Sequence, residues 1–187
     1  MIDILPLQTS RLVIRQFRAD DAAAFHGWRN DAEVARYTLW QYPYSVAEAE
    51  AFCREQAVFD VLPIGRWCQL FIEERETGEP VGDIGLGLNT EDDGTLEVGY
   101  SIHRDHWGKG YATEAVGVAI STIAGAIGST VVKAEIDARN PASGKVLSKL
   151  GFKAGPLHKR RTFVKGEWCD EIDYVLSASD LSQVCKF

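Results

Sequence analysis

The sequence predicts a mixed α/β or α+β domain built on one central sheet, and three observations predict it. Strand-like segments separated by helical ones imply parallel neighbours, whereas strand pairs joined by short turns imply antiparallel neighbours. The longest helical segment, Ala112 to Ile127, carries apolar residues at i, i+3, i+4 and i+7 spacing for four turns. No repeat, low-complexity tract or linker-like stretch divides the 187 residues, so we expect a single domain, residues 1–187.

The N-terminal elements are predicted from alternation and capping. Residues 11–17 alternate Leu, Ile and Gln with Val, Arg and Phe, which indicates a strand. Residues 20–30 are rich in alanine and begin with acidic residues, which is typical of a helix start. Ser45 is followed three residues later by Glu48, and this capping box predicts a helix that runs to about Phe59.

The rest of the chain is predicted to alternate strands and helices. A short ETGE turn between two apolar runs indicates a hairpin, and a turn-rich stretch leads into the next strand. The helix that begins at Pro141 is expected to stop at Gly151. The predicted strands are 67–75, 79–88, 95–103, 131–137 and 168–177, and the predicted helices are the long one after a glycine turn and 141–150.

Composition and charge exclude several classes of protein. The net charge of −7 disfavours a general nucleic-acid binder, which would carry a basic face, but it is compatible with an enzyme that acts on an amine. The N-terminus lacks the pattern of a signal peptide, and no apolar run approaches the ~20 residues that span a bilayer. The four cysteines are scattered, so we expect reduced thiols in a cytoplasmic protein: Cys53, Cys68, Cys169 and Cys185.

A strand that leads through a glycine-bearing turn into a helix is a candidate anion site, and residues 97–115, EVGYSIHRDHWGKGYATEA, have this order. The backbone N–H groups at a helix start have no intrahelical partner, and the helix dipole favours negative charge there. The sequence lacks a P-loop, G-x-x-x-x-G-K-[ST]. A dinucleotide fingerprint matches only in part, at Gly108 and Gly110, with Thr113 at the third position. By itself, the turn is also compatible with glycines that serve geometry alone.

A third pattern, [QR]-x-x-G-x-[GA], is the pyrophosphate loop of the GNAT superfamily of acetyl-CoA-dependent N-acetyltransferases, and WGKGYA matches it at Gly110 and Ala112. Trp107 replaces the Gln or Arg, as it often does in the RimJ/RimL branch. ARNPASGKVLSKLGF, residues 138–152, resembles the second cofactor segment of that branch. The segments TSRLVIRQFRADDAAAF near the start and GEWCDEIDYVLS near the end also occur in the order expected for the branch. The sequence thus resembles a RimJ/RimL-like GNAT protein over about residues 9–177.

The resemblance implies the GNAT fold, which is one mixed, mostly antiparallel sheet of about seven strands with about four helices and splayed parallel strands at the cofactor site. It also implies acetyl-CoA as co-substrate, and we expect no metal. The pantetheine arm resembles a short strand, so we expect it to bond the open edge of the strand 97–103. Asn140 matches a family asparagine near the pantetheine, although helix capping before Pro141 is an alternative role. The residues expected to bind acetyl-CoA are Tyr100, Ser101, Ile102, Trp107, Gly108, Lys109, Gly110, Tyr111, Ala112, Thr113, Asn140, Ser143 and Lys145.

In this family the acetyl group passes directly to the amine, which requires a base, a donor at the carbonyl oxygen and an acid for the thiolate. The resemblance assigns Glu97 as general base and Ser143 as the acid. A backbone N–H near Ile102, aimed by a β-bulge, is expected at the carbonyl oxygen. A solvated role for Glu97 and a backbone-bonding role for Ser143 stay open as alternatives. Competing carboxylates lie in the late strand: Asp170, Glu171 and Asp173.

We expect the acceptor to be a primary amine, on a protein N-terminus or a small molecule, and the protein to be a monomer or homodimer with no direct nucleic-acid or membrane partner. Trp28, Trp40 and Tyr42 are candidates either for the acceptor pocket or for the core. Two other functions stay open. One is a nucleotide-dependent oxidoreductase, in which Glu135 and Asp137 would meet the ribose. The other is a non-catalytic acyl-CoA sensor on the same fold.

Overall fold

The computed structural model describes residues 4–58, 66–89, 94–181 and 183–184, and its strands form one sheet in the order β1-β2-β3-β4-β5-β6-β8-β7. The strands are β1 (Leu7–Gln8), β2 (Leu12–Gln16), β3 (Trp67–Glu74), β4 (Pro80–Asn89), β5 (Thr95–Ile102), β6 (Val131–Asp137), β7 (Lys153–Val164) and β8 (Glu167–Ser177). The α-helices are α1 (Ala22–Arg29), α2 (Ala32–Ala35), α3 (Val46–Gln56), α4 (Tyr111–Ile127), α5 (Pro141–Lys149) and α6 (Ala178–Leu181).

The sheet is antiparallel except at one pair, β5 and β6, which run parallel. These two strands pair only at Leu96 with Val132 and at Glu97 with Lys133. Beyond Glu97, β5 stays paired with β4 as far as Ile102 but has left β6. The strands therefore splay, and one edge of β5 opens in the middle of the sheet.

Two apolar clusters cover the two faces of the sheet. The larger one packs the apolar side of α4, including Ile120 and Ile123, and Leu147 of α5 against strands β1–β6 and β8. The smaller one joins α1 and α3 to Phe17 and Phe71, whose rings meet edge to face. Alternating side chains of each strand serve opposite faces, so each face of β5 presents a different set of residues to its surroundings.

The predicted order of elements and the mixed sheet are confirmed. Eight strands and six α-helices in the described residues exceed the expected seven and four, because β1 has two residues and α2 and α6 have four each. The capping box is present, with the Glu48 amide donating to Ser45 Oγ and the Ser45 amide to the Glu48 carboxylate. The helix ends at Gln56, with Ala57 as its C-cap, which is earlier than the expected end at about Phe59; Phe59 itself lies outside the described residues. In the parts of the chain that the structure describes, no helix is long and apolar enough to cross a membrane.

Candidate active site

The glycine turn between β5 and α4 adopts the backbone that its glycines allow. Gly108 and Gly110 have φ angles of 78° and 81°, in the left-handed region that side chains rarely adopt. Gly110 is the N-cap of α4, and the first helical bond runs from the Glu114 amide to the Gly110 carbonyl. The amides of residues 111–113 therefore have no intrahelical acceptor, and this end of the helix is suited to an anion.

A groove with a volume of about 620 Å³ runs from this turn to the start of α5. Lys145 and Lys149 of α5 also line it, which adds two basic side chains to the groove. Lys109 is the exception among residues 107–113, because its Nζ turns back to His106 Nδ1 at 3.1 Å. The groove combines open amides with basic side chains, which suits a diphosphate. The turn residues that line it are Trp107, Gly108, Gly110, Tyr111, Ala112 and Thr113.

The open edge of β5 forms the middle of the groove, where Tyr100, Ser101 and Ile102 line it. Trp107 is half-exposed, and its indole Nε1 donates to the Ile102 carbonyl at 2.8 Å, which ties the turn to the strand end. The bulge expected near Ile102 is absent, since β5 pairs with β4 in continuous register over Thr95–Ile102. Splaying from β6, rather than a bulge, is what exposes this edge.

Ser143 lies in the first turn of α5, beside the open edge of β5. Its amide donates to Asn140 Oδ1 at 3.1 Å, so Asn140 has the helix-capping role that was one of its two expected roles. The Ser143 hydroxyl is 2.8 Å from the Tyr100 hydroxyl, which also donates to the Ser143 carbonyl at 3.1 Å. Burial raises the pKa of Tyr100 above its ordinary value, so the phenol stays protonated.

A second cavity, of about 440 Å³, lies on the other face of β5 and includes Glu97. Glu97 is half-buried and shares its strand face with Gly99 and Ser101. Ser143 reaches the same cavity from the other side of the sheet, through the gap between β5 and β6. The two cavities meet at the same side chains, because Tyr100, Ser101, Asn140 and Ser143 line both.

Aromatic side chains of the N-terminal half take different positions around this second cavity. Trp28 is fully buried in the smaller cluster, and its Nε1 donates to Asp83 at 2.8 Å, so it is a core residue. Trp40 lines the cavity, whereas Tyr42 is exposed and outside it. Trp67 also lines the cavity, and its ring lies against Gly87, where a Cβ would come within 3.0 Å of it.

Carboxylates from β6 and β8 line the cavity, together with the basic side chains of Arg29, Arg36, Lys133, Arg139 and Lys165. Burial raises the pKa of Glu135, and the nearby Asp173, Glu171 and Glu97 raise it further, against the opposing effect of Arg161. Of the three late-strand competitors to Glu97, only Glu171 lines the cavity. Asp173 is paired with Arg161 and His158, and Asp170 accepts from the Arg160 amide.

The turn between β7 and β8 covers one side of the second cavity. The Lys165 ammonium donates to the carbonyl oxygens of Ala35 and Thr38, the latter at 2.8 Å. Arg139, which also lines this cavity, forms ion pairs with Asp137 at 2.6 Å and Glu167 at 2.9 Å. These contacts join the segment after α2 to the hairpin turn over the cavity.

Three structural features had no signal in the sequence. The Lys165 contacts, the Asp83–Arg29 ion pair at 3.3 Å and a cluster of Thr9 and Arg11 with Glu114 each join residues more than 50 positions apart. Residues that meet over such distances have no fixed spacing in the sequence. The sequence could have marked each of these residues only as a charged or polar position beside an apolar run.

The histidine, cysteine and acidic side chains are the candidates for a metal site and for reactive thiols. Within the described ranges, no group of three or more His, Cys, Asp or Glu side chains is placed to hold a metal. Cys53, Cys68 and Cys169 are buried thiols, and burial raises the pKa of Cys53 to about 12. Cys185 lies outside the described residues.

Comparisons with known proteins agree with this fold. The sequence profile of the family described as acetyltransferase (GNAT) domain matches residues 11–153. YoaA of Bacillus subtilis, described as an uncharacterized N-acetyltransferase, is 32% identical over 155 residues, which are 82% of this chain and 86% of that protein. The similarly described p20 of Bacillus licheniformis is 29% identical over 164 residues, 88% of this chain and 91% of that one.

Solved structures show the same architecture. A GNAT-family acetyltransferase from Bacillus anthracis matches with a TM-score of 0.83 at 20% identity, covering 94% of this chain and 99% of that chain. RimJ of Mycobacterium smegmatis, in complex with CoA-disulfide, matches with a TM-score of 0.75 at 24% identity, covering 92% and 85%. The expected GNAT fold is thus confirmed. The chain belongs to the GNAT acetyltransferase family.

Proposed function

We propose that this chain is one RimJ/RimL-like acetyltransferase domain that transfers an acetyl group from acetyl-CoA to a primary amine by direct attack in a ternary complex. The observation that carries the proposal is the junction of two cavities at Tyr100, Ser101, Asn140 and Ser143. One cavity begins at an anion-binding helix start, and the other contains carboxylates. A thioester at the junction would face an amine held in the second cavity.

The groove provides a partner for each part of acetyl-CoA. The amides at the start of α4 suit the diphosphate, with Gly108 and Gly110 allowing its close approach. Lys145 adds positive charge along the same groove. The open edge of β5 at residues 100–102 suits the amides of the pantetheine arm, as an added strand would. The structurally similar RimJ of Mycobacterium smegmatis is in complex with CoA-disulfide, which supports the same cofactor here.

Glu97 and Ser143 complete the chemistry. Glu97 takes the proton that the amine loses as its nitrogen forms the new bond to the acetyl carbon. A backbone N–H at the open end of β5, near Ile102, stabilises the charge that develops on the carbonyl oxygen. As the carbon–sulfur bond breaks, the Ser143 hydroxyl donates a proton to the departing thiolate, and Tyr100 is placed to hold that hydroxyl.

The second cavity selects the acceptor. Its carboxylates Glu97, Glu135 and Glu171 can receive an ammonium group among the basic side chains that also line the cavity. The acceptor is the amine of a protein N-terminus or of a small molecule, and the protein works in the cytoplasm as a monomer or homodimer.

The test is an acceptor screen with acetyl-CoA, in which release of CoA thiol is measured for wild type, Glu97→Gln and Ser143→Ala. Ser148→Ala is the matched control, because Ser148 is an exposed serine of the same helix. We expect turnover that both site variants lower and the control leaves intact. A protein that binds acetyl-CoA but transfers acetyl to no amine would instead be a sensor.

A further inference from the structure

A buried carboxylate ties the start of α4 to the segment before β2. Glu114 is only 3% exposed, although it lies in the first turn of the helix that follows the glycine turn. Its Oε1 accepts from Thr9 Oγ1 at 2.5 Å and from the Arg11 amide at 3.2 Å, and its Oε2 accepts from Arg11 Nε at 2.7 Å. The guanidinium of Arg11 is therefore fixed by Glu114 on one side.

The other side of the same guanidinium reaches the glycine turn. Arg11 Nη1 donates to the Lys109 carbonyl at 3.0 Å, and Nη2 lies 3.6 Å from where a Cβ of Gly110 would be. The guanidinium also covers the Tyr111 ring, with its carbon 4.7 Å from the ring centre. One side chain thus bridges the helix carboxylate and the peptide that joins residues 109 and 110.

That bridge sets the direction of a backbone donor. In a trans peptide, the carbonyl of Lys109 and the N–H of Gly110 belong to one plane and point in opposite directions. Arg11 holds the carbonyl on the side away from the groove, since Arg11 and Lys109 do not line the groove and Gly110 does. Within the described residues, the Gly110 N–H donates to no protein acceptor.

We infer that Arg11, held by Glu114, is a positioning residue for the diphosphate of acetyl-CoA: it locks the 109–110 peptide so that the Gly110 N–H faces the groove. The lock has a physical reason, because flipping this peptide changes ψ of Lys109 and φ of Gly110, and a glycine offers little steric resistance to that change. A flipped peptide would present the Lys109 carbonyl oxygen to the anion, which repels it. This inference rests on the proposed function, since it assumes the same ligand in the same groove.

Two other roles for Arg11 predict different behaviour. If Arg11 acted by charge alone, a lysine would serve equally well, although a lysine cannot bridge Glu114 and the Lys109 carbonyl as the forked guanidinium does. If Arg11 only stabilised the segment before β2, loss of another arginine that holds that segment would have the same effect. Arg75 is such a residue, because its Nη1 donates to the Thr9 carbonyl at 3.2 Å, and among the described residues its hydrogen bonds go to Thr9 and Arg11 rather than to the turn.

The experiment compares two acetyl donors by calorimetric titration: acetyl-CoA and S-acetylpantetheine, which has the same thioester and arm but lacks the diphosphate. Wild type, Arg11→Gln, Arg11→Lys and the control Arg75→Gln are titrated with each. We expect Arg11→Gln to weaken acetyl-CoA binding by about tenfold, a typical effect of losing charged hydrogen bonds. We expect S-acetylpantetheine binding to be unchanged, Arg11→Lys to restore little, and Arg75→Gln to behave as wild type.

Equal weakening of both donors, full rescue by lysine, or the same loss in Arg75→Gln would each overturn the inference. If Arg11→Gln does not fold, Glu114→Gln makes the same test, because it loosens Arg11 without removing it. Failure of wild type to bind acetyl-CoA would instead reject the proposed function, so the two failures are distinguishable.

Discussion

The hydroxyl of Tyr100 lies 2.8 Å from the hydroxyl of Ser143, across the gap where β5 has separated from β6. The two side chains come from different elements, and both line the two cavities that meet there. Because the Tyr100 phenol also donates to the Ser143 carbonyl, the serine hydroxyl is held in one small region at the junction. This pair is where the proposed acid of the reaction is positioned.

Substitution at this pair is expected to affect the chemical step rather than cofactor binding. We predict that Ser143→Ala lowers kcat by about 100-fold, the lower range for loss of a general acid, with little change in KM for acetyl-CoA. Tyr100→Phe, which removes only the positioning hydroxyl, should lower kcat by about tenfold. Steady-state kinetics with Ser148→Ala as control checks both. A rise in KM for acetyl-CoA with kcat unchanged would assign Ser143 to binding.

The Glu114 cluster predicts a pH-dependent contribution to stability. Burial raises the pKa of Glu114, but the hydrogen bonds from Thr9 and Arg11 outweigh it and hold the pKa below the ordinary value. The stabilisation is therefore complete above the ordinary glutamate pKa and is lost as the pH falls through the lowered one. We predict that Glu114→Gln lowers the free energy of unfolding by about 2 kcal/mol at pH 7.

The difference in the free energy of unfolding between wild type and Glu114→Gln should begin to narrow below about pH 4, where the unfolded wild type takes up a proton. It should be smallest below the lowered pKa of the folded state, where Glu114 is uncharged as well. Urea unfolding of both proteins at several pH values measures it. A gap that stays constant to the lowest pH would show that the charge of Glu114 contributes nothing.

Gly82 on β4 is predicted to tolerate no side chain. A Cβ there would lie 2.1 Å from the Ser101 carbonyl oxygen and 2.9 Å from the Ile102 Cα, both backbone atoms of the strand that lines the groove. We expect Gly82→Ala to lower the free energy of unfolding by about 3 kcal/mol.

Gly125, exposed in α4 with no atom within 4 Å of a built Cβ, is the control for this substitution. Gly125→Ala should raise the free energy of unfolding by roughly 0.5–1 kcal/mol. Thermal and urea unfolding of the two alanine variants compares them directly. Equal stability of the two would contradict the close approach of β4 to β5.

Lys165 is predicted to govern access to the acceptor cavity. Lys165→Met keeps the aliphatic stem but removes the bonds to Ala35 and Thr38 that hold the hairpin turn over the cavity. We expect KM for the amine to rise about fivefold, with KM for acetyl-CoA unchanged. Lys159→Met, at an exposed position of the same hairpin, is the control. A parallel rise in KM for both substrates would mean that the hairpin supports the whole fold instead.

Local patterns predicted most of the architecture. The apolar stripe of α4 and the Ser45–Glu48 capping box depend on residues within a few turns of each other, so the sequence displays them directly. β7 gave no such signal, because nearly all of its residues are exposed and no apolar alternation marks it. The two residues of β1 are a strand through their pairing with β2. The four-residue α2 begins at an Asp31 N-cap but is too short to show an apolar stripe.

Site residues that lie close together in the sequence could be predicted from motifs, whereas contacts between residues far apart in the sequence could not. The turn, the open strand and the start of α5 could be identified from motifs. Of the residues expected to bind acetyl-CoA, the structure brings all but Lys109 to one groove, and Glu97 lines the second cavity. The bridge between Arg11 and Glu114 joins residues 103 positions apart, and no local pattern indicates it. Glu135 and Glu171 lie together in the second cavity because β6 pairs with β8, and no local pattern in the sequence indicates that pairing either.

A calorimetric titration of the wild-type protein with acetyl-CoA, with NADH as control ligand, tests whether the turn before α4 binds the cofactor. We predict saturable binding of one acetyl-CoA per chain and no binding of NADH. Binding of acetyl-CoA should be lost in Gly110→Val, because a branched residue does not adopt φ near 81°. Absence of acetyl-CoA binding, or binding that Gly110→Val leaves intact, would contradict the conclusion that this turn holds the diphosphate.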